Sequence, residues 1–213
     1  RKSVMVFIHG GLFTIGSIGI DEYDGRALAA FGEVIVVTFQ YRLGVYGSLS
    51  LEHDNIPGNM GLLDQLQALH WIHDNIVHFG GDPNSVTLFG TSAGAISIGF
   101  HMFSPRASPL FQRVILQSGS PTLLRQVYSR GESVAEKFAT ALGCYKANNG
   151  SSVYDDTDQV VACLEGVSSQ KIQEAQAEFV RDNPVPFMPT IPSDYIENLV
   201  LSGGFLLHKL LGI

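Results

Sequence analysis

Three observations predict an α/β architecture with a mostly parallel central sheet flanked by helices. Val4 to Ile8 and Val34 to Thr38 are short continuous apolar runs, rich in β-branched residues, as strands buried on both faces are. A long segment with helical apolar spacing separates the second run from a third, Ser85 to Phe89. The alternation of strand and helix then continues to Val114 to Gln117, and consecutive strands joined by helical crossovers pair in parallel.

The elements follow in order. A loop containing Gly10, Gly11, Gly16 and Gly19 leaves the first strand, and the Ala-rich Gly25 to Phe31 suits a small helix. After the second strand, Pro57-Gly58-Asn59 precedes the strongest helix. Its apolar residues Leu62, Leu66, Leu69, Ile72, Ile76 and Phe79 fall on one helical face, and Gly80-Gly81-Asp82-Pro83 ends it. The strand Ser85 to Phe89 leads to a small-residue helix, Ala93 to Phe103, and then to the strand Val114 to Gln117. Beyond Gln117, helices are predicted over Arg130 to Leu142, Gln159 to Leu164 and Ser169 to Phe179, before the proline-rich Asn183 to Pro192.

Composition narrows the classes. With 213 residues, of which 45 % are hydrophobic, the chain can bury a sizeable core, so intrinsic disorder is excluded as its main state. No apolar stretch reaches the roughly 18 residues that cross a bilayer as a helix. Thirteen basic residues against 20 acidic ones give a net charge of −7 with no basic patch, which argues against nucleic acid as a partner. Arg1 stands directly before an apolar strand, and the chain closes on Leu210-Leu211-Gly212-Ile213, where domains usually carry polar, frayed segments. Residues 1–213 are therefore expected to be a partial domain, incomplete at both ends.

Two motifs carry chemistry. Gly90-Thr91-Ser92-Ala93-Gly94 fits G-x-S-x-G, in which a serine occupies a strained strand-to-helix turn and the flanking Gly90 and Gly94 relieve crowding. The motif directly follows a predicted strand and opens a predicted helix, the context it requires. His9-Gly10-Gly11-Leu12-Phe13 closes the first strand. Ester hydrolysis builds negative charge on a tetrahedral oxygen, and fixed backbone N–H donors stabilise it by on the order of 3 kcal/mol each. A glycine turn after a strand can aim such donors at the tip of its neighbour, and the N–H of Ala93 supplies another.

These residues resemble the type-B carboxylesterases, and within them the cholinesterase-like branch, which have the α/β-hydrolase fold. The matching stretches are long and collinear: F-I-H-G-G from Phe7, Y-R-L-G-V from Tyr41, G-N-M-G-L-L-D-Q from Gly58 and W-I-H-D-N-I from Trp71. They continue with F-G-G-D-P-N-S-V-T-L-F-G-T-S-A-G from Phe79 and L-F-Q-R-V-I-L-Q-S-G-S-P from Leu110. The resemblance implies that Ser92 is the nucleophile of a serine carboxylic ester hydrolase acting through an acyl-enzyme. It implies an oxyanion hole from the N–H groups of Gly11, Leu12 and Ala93, with Gly10 shaping the turn, and a small-molecule ester as substrate; the residues themselves suggest no cofactor and no metal.

Three departures stand out. Leu12 replaces a smaller residue common in the family and borders the hole with a bulkier side chain, although its N–H survives. Thr91 stands where the family usually has Glu, which removes a carboxylate from the neighbourhood of the substrate and the catalytic His. Thr122-Leu123-Leu124 follows Ser120-Pro121 where cholinesterases carry an acyl-pocket Trp, so a wider acyl pocket is implied.

A serine hydroxyl becomes a useful nucleophile only when a His takes its proton and an acid orients that His, and in this fold both follow the serine in the chain. His101 is expected on the helix leaving the serine, where it cannot act as base, and His208 lies in an ordinary apolar run. The triad acid and His are thus expected outside residues 1–213, and the isolated piece is expected to be inactive. His70, His73 and His78 ride the long helix without the spacing of a zinc site.

Cys144 and Cys163 are the only cysteines. The resemblance to extracellular cholinesterase-like proteins implies a disulfide between them and a secreted or extracellular location, and Asn149-Gly150-Ser151 between them fits an N-glycosylation acceptor. Oligomerisation is left open. Two functional classes compete: a serine esterase, and a catalytically silent adhesion or receptor ectodomain that keeps the fold as a binding surface. Ser92 within an intact motif favours the enzyme, while Thr91 and Leu12 keep the alternative open.

Overall fold

The computed structural model describes residues 1–121, 134–146, 151–182 and 187–189. Along the chain run β1 (Lys2–Ile8), α1 (Arg26–Gly32), β2 (Ile35–Thr38), α2 (Gly44–Ser48), β3 (Ser50–His53) and β4 (Ile56–Pro57). They are followed by α3 (Met60–Asn75), β5 (Gly81–Thr91), α4 (Ala93–Phe103), β6 (Arg113–Gln117), α5 (Val134–Ala141), α6 (Thr157–Glu165) and α7 (Ser169–Asp182). Four strands form a parallel sheet in the order β2-β1-β5-β6, and β3 and β4 pair as an antiparallel hairpin.

The sheet order follows from handedness. The crossover from β1 to β2 runs one way along the sheet, and the crossover from β2 to β5 returns past β1 in the other. Right-handed connections in opposite directions put their helices on opposite faces. Accordingly, Val4, Val6 and Ile8 on one face of β1 pack with Leu66, Leu69 and Ile72 of α3 and with Ile98 of α4. On the other face Phe7 meets Tyr23 and Phe89, with ring centroids 4.7 and 5.0 Å apart, and Gly25 at the start of α1 lies against Val36 of β2. Each aliphatic side chain fully buried in this way contributes about 1.5–3 kcal/mol.

A second apolar cluster lies off the sheet. Val45 and Leu49 around α2 and Leu51 of β3 pack with Phe138 of α5, Val160 and Leu164 of α6, and Phe187. A disulfide joins Cys144 to Cys163, with the Cα atoms 5.5 Å apart, and ties the end of α5 to α6. Among the described residues no helix is long and apolar enough to cross a membrane.

The structure corrects several boundaries. The long helix stops at Asn75, and Ile76–Phe79 forms a 3₁₀ turn closed by Gly80 at φ 83°. Phe79 consequently leaves the buried face and is 63 % exposed. Gly81-Asp82-Pro83 ends the helix as predicted but also begins β5, which pairs with Lys2. The register slips between Lys2 and Val4, and the resulting bulge accommodates Pro83, which has no N–H to give the ladder. The run from Val34 was expected to be buried, yet β2 begins at Ile35 and is half-buried throughout, because among the described residues it pairs with β1 on one side only. The helix read from Arg130 is described from Val134. Thr122-Leu123-Leu124, Asn149 and His208 lie outside the described residues, as does Asn183 to Pro192 apart from residues 187–189.

Candidate active site

The reversal of crossover direction makes the gap between β1 and β5 the topological switch point of the sheet. In open parallel sheets, crevices for ligands form beyond the strand C-termini at this point, because the loops leaving the two strands diverge to opposite faces. Both sequence motifs are here. Ile8 at the end of β1 is in register with Gly90 near the end of β5, so His9–Phe13 and Thr91–Gly94 leave the sheet side by side.

Ser92 occupies the turn between β5 and α4 with φ 53° and ψ −118°, outside the regions that ordinary residues prefer. Such a conformation costs on the order of 1–3 kcal/mol and persists only where surrounding bonds hold it. Here the Ser92 N–H donates to the Gln117 carbonyl at the end of β6, 2.9 Å away, and the Ser92 carbonyl accepts from the Ile96 N–H at 3.0 Å. Glycine is needed where the tips approach. A Cβ on Gly10 would stand 2.7 Å from the Thr91 carbonyl oxygen, and one on Gly94 would collide with the carbonyl of Ile8. A Cβ on Gly90 would come within 2.7 Å of that same Ile8 oxygen.

The turn after β1 is also strained. Gly11 has φ 120°, and Leu12 and Phe13 both stand in the left-handed region at φ 56° and 59°. The Thr14 and Ile15 N–H groups close back on the Gly11 carbonyl at 3.0 and 2.9 Å. Among the described residues the N–H groups of Gly11, Leu12 and Ala93 have no hydrogen-bond acceptor. Leu12 is 45 % exposed, so its side chain is not packed into the protein.

Two buried networks hold the tips. Fully buried His9 stacks on Tyr41 with ring centroids 4.5 Å apart, and the Tyr41 hydroxyl donates to the His9 carbonyl at 2.7 Å. Burial pushes the Tyr41 hydroxyl well above its ordinary pKa, keeping it a donor. His9 Nδ1 bonds the Gly10 carbonyl at 2.9 Å and, since a carbonyl only accepts, carries the proton. Behind the serine, His101 Nε2 donates to Gln65 Oε1 at 2.9 Å. Gln65 Nε2 donates to Ser97 Oγ, and Ser97 Oγ donates to the Ala93 carbonyl at 2.9 Å. Burial lowers the pKa of His101 to about 4, so it is neutral near pH 7. His101 is therefore a structural partner of Gln65.

The structure thus brings Gly10, Gly11, Leu12, Gly90, Ser92, Ala93 and Gly94 together at the adjoining tips of β1 and β5, while the Cys144–Cys163 disulfide lies beside the second cluster. His70 and His73 are on α3 and His78 is on the turn that follows it. Sequence reasoning did not single out Tyr41, Gln65 or Ser97. Gln65 carried a signal, a polar residue at a core position of the stripe made by Leu62, Leu66 and Leu69.

The model of the carboxylesterase family matches residues 1–204. An acetylcholinesterase of Trittame loki is 45 % identical over 81 % of this chain and 31 % of its own length. An acetylcholinesterase of Gallus gallus is 41 % identical over 91 % of the chain and 25 % of its own length. A cholinesterase of Branchiostoma lanceolatum is 42 % identical over 89 % of the chain. The chain spans only 25–52 % of the length of these three relatives. With a parallel sheet flanked by helices and a glycine-framed serine turn at its switch point, the chain belongs to the carboxylesterase family, with its α/β-hydrolase fold.

Proposed function

We propose that residues 1–213 are part of the catalytic domain of a serine carboxylic ester hydrolase of the cholinesterase and carboxylesterase type. Ser92 Oγ attacks the ester carbonyl carbon and gives its proton to a histidine. The carbonyl oxygen takes the negative charge and accepts hydrogen bonds from the N–H groups of Gly11, Leu12 and Ala93. Collapse of this intermediate releases the alcohol, protonated by the same histidine, and leaves an acyl-enzyme that water hydrolyses by the reverse sequence. The triad acid and histidine are not assigned within residues 1–213, so the isolated piece should not turn over esters.

What carries the reading is the coincidence, at the adjoining tips of β1 and β5, of a serine held at positive φ and three backbone N–H groups that have no acceptor among the described residues. Donors already fixed in place need no reorganisation when charge develops, which is why they stabilise a transition state more than water does. Similarity to an acetylcholinesterase and a cholinesterase supports a small-molecule ester as substrate. The Cys144–Cys163 disulfide supports an oxidising, extracellular or secretory location, where Asn149 would be open to glycosylation.

The test is an organophosphate that labels activated serines, applied to the full-length protein. A single adduct on Ser92 is expected, and Ser92→Ala should remove both label and ester turnover, a loss of at least about 10³-fold. A folded protein that takes no label at Ser92 would instead have the properties of the silent adhesion or receptor ectodomain.

A further inference from the structure

We propose that Gln176, far along the chain on α7, is a positioning residue for the turn at Gly11 to Phe13, and so for the oxyanion N–H groups. The inference rests on the ester-hydrolase reading and names a residue that sets its geometry.

The connection runs through α2. Gln176 Oε1 accepts the Val45 N–H at 2.9 Å, across 131 residues of sequence. The preceding residue, Gly44, has φ 59°, and a Cβ there would collide with the Gln176 side-chain amide. A glycine at this position lets the amide approach the backbone, and no larger residue would. On the other side of the same turn of chain, the Gly44 N–H donates to the Phe13 carbonyl at 2.6 Å. Two neighbouring N–H groups thus link α7 to Phe13.

Phe13 is where such a link matters. Leu12 and Phe13 are consecutive non-glycine residues in the left-handed region, a pair of conformations that relaxes unless held. The bonds from Thr14 and Ile15 to Gly11 are internal to the turn and move with it. The Tyr41 hydroxyl fixes the chain before the turn, at His9, and Gly44 fixes it after, at Phe13. Without an acceptor for Val45, the start of α2 loses its tether to α7, and the Phe13 carbonyl can rotate with Gly44. Rotation there releases the strain at Leu12 and turns its N–H away from the oxyanion. Gln176 is half-buried, so its amide is not simply a solvated surface group.

The experiment uses the full-length protein, p-nitrophenyl acetate as substrate and an aryl trifluoromethyl ketone as tetrahedral analogue, with rates expressed per Ser92 labelled by organophosphate. Counting labelled serines removes any contribution from unfolded molecules. Gln176→Leu, which keeps the bulk and removes the acceptor, should lower kcat per site about 3–10-fold with KM changed less than about twofold. Ketone affinity should fall by the same factor. Gln176→Glu, which keeps an acceptor oxygen, should restore both. Should the Leu variant not fold, Gln176→Asn, one methylene short of Val45, gives the same comparison. Unchanged kcat per site and ketone affinity, with only a lower Tm, would overturn the inference and leave Gln176 as packing. An unaltered protein that neither labels nor hydrolyses would overturn the ester-hydrolase reading itself, a failure visible before any Gln176 variant is made.

Discussion

The sheet and the helical cluster beside it are held together by different means. In the sheet, backbone hydrogen bonds between parallel strands set the geometry, and aliphatic side chains from Val4 to Ile98 fill the space behind them. In the helical cluster three phenylalanines take over. Phe138 meets Phe187 edge-on at 5.7 Å and Phe179 at 6.2 Å, and a disulfide fixes α5 to α6. A hydrogen-bonded ladder places backbone atoms to within a few tenths of an ångström, whereas side-chain packing between helices allows small slides. Strained, aligned donors therefore belong at the strand tips, and the helical cluster influences them only where a specific bond such as Gln176 to Val45 reaches across.

The harshest way to break this comparison is Gly94→Ala. The added methyl would collide with the Ile8 carbonyl, a backbone atom of the central strand that cannot step aside. The tips of β1 and β5 would be pushed apart, and a displacement of order 1 Å at a reacting centre costs about 10²-fold in rate. Organophosphate labelling of Ser92 in the full-length protein should slow by about that factor, while hydrogen exchange over α5 and α6 stays unchanged. Labelling at the normal rate would mean that the ladder does not fix the tips.

Opening the disulfide tests the other region. The bond closes a loop with a sequence separation of 19 residues, for which restriction of the unfolded chain gives about 3 kcal/mol. Replacing both Cys144 and Cys163 by Ser should destabilise the helical cluster by about that amount. Amide exchange should accelerate from Val134 to Glu165 while β1 and β5 keep their protection. Equal acceleration in the sheet would show that the two clusters unfold as one unit.

The two regions also differed in how far the sequence revealed them. The strands and the serine turn were legible because their signals are local: β-branched runs, a glycine on each side of Ser92, and a small-residue helix directly after it. The helix Ala93–Phe103 has the predicted bounds. Nothing local announced α2, which holds Gly44 and Gly47 within five residues. Glycine disfavours helix by about 1 kcal/mol each, and the element exists because Gly47 packs against the Arg42 carbonyl and Gly44 bonds to Phe13. Gln176 was invisible for a related reason. On an amphipathic helix a glutamine reads as a solvated residue, and its partner lies 131 positions away. The disulfide came from likeness to a family, since two cysteines alone do not specify a bond.

The smallest effect should come from Arg42 and Asp64, which fasten the chain after β2 to α3. The guanidinium donates to both carboxylate oxygens, each at 2.7 Å, and the Arg42 N–H adds a third bond at 3.0 Å. Burial tends to raise the carboxyl pKa, but the bonds from the Arg42 side chain and backbone outweigh it, and the net shift is below the ordinary value of 3.8. A carboxyl whose pKa is lower in the folded state stabilises the fold fully above its unfolded value. That contribution fades as the pH falls through the folded value, below 3.8. Arg42 is exposed and Asp64 half-buried, so solvent still screens the charges and limits the bidentate geometry to about 1 kcal/mol. Asp64→Asn should therefore lower stability at pH 7 by about 1 kcal/mol and flatten the loss of stability below pH 4, as read from urea midpoints across the acid range. A variant with the same acid dependence as the unaltered protein would place the titrating bond elsewhere. Because Asp64 is on α3, against the sheet, its loss should leave exchange in the disulfide-bonded helices untouched, a milder version of the contrast drawn by Gly94→Ala.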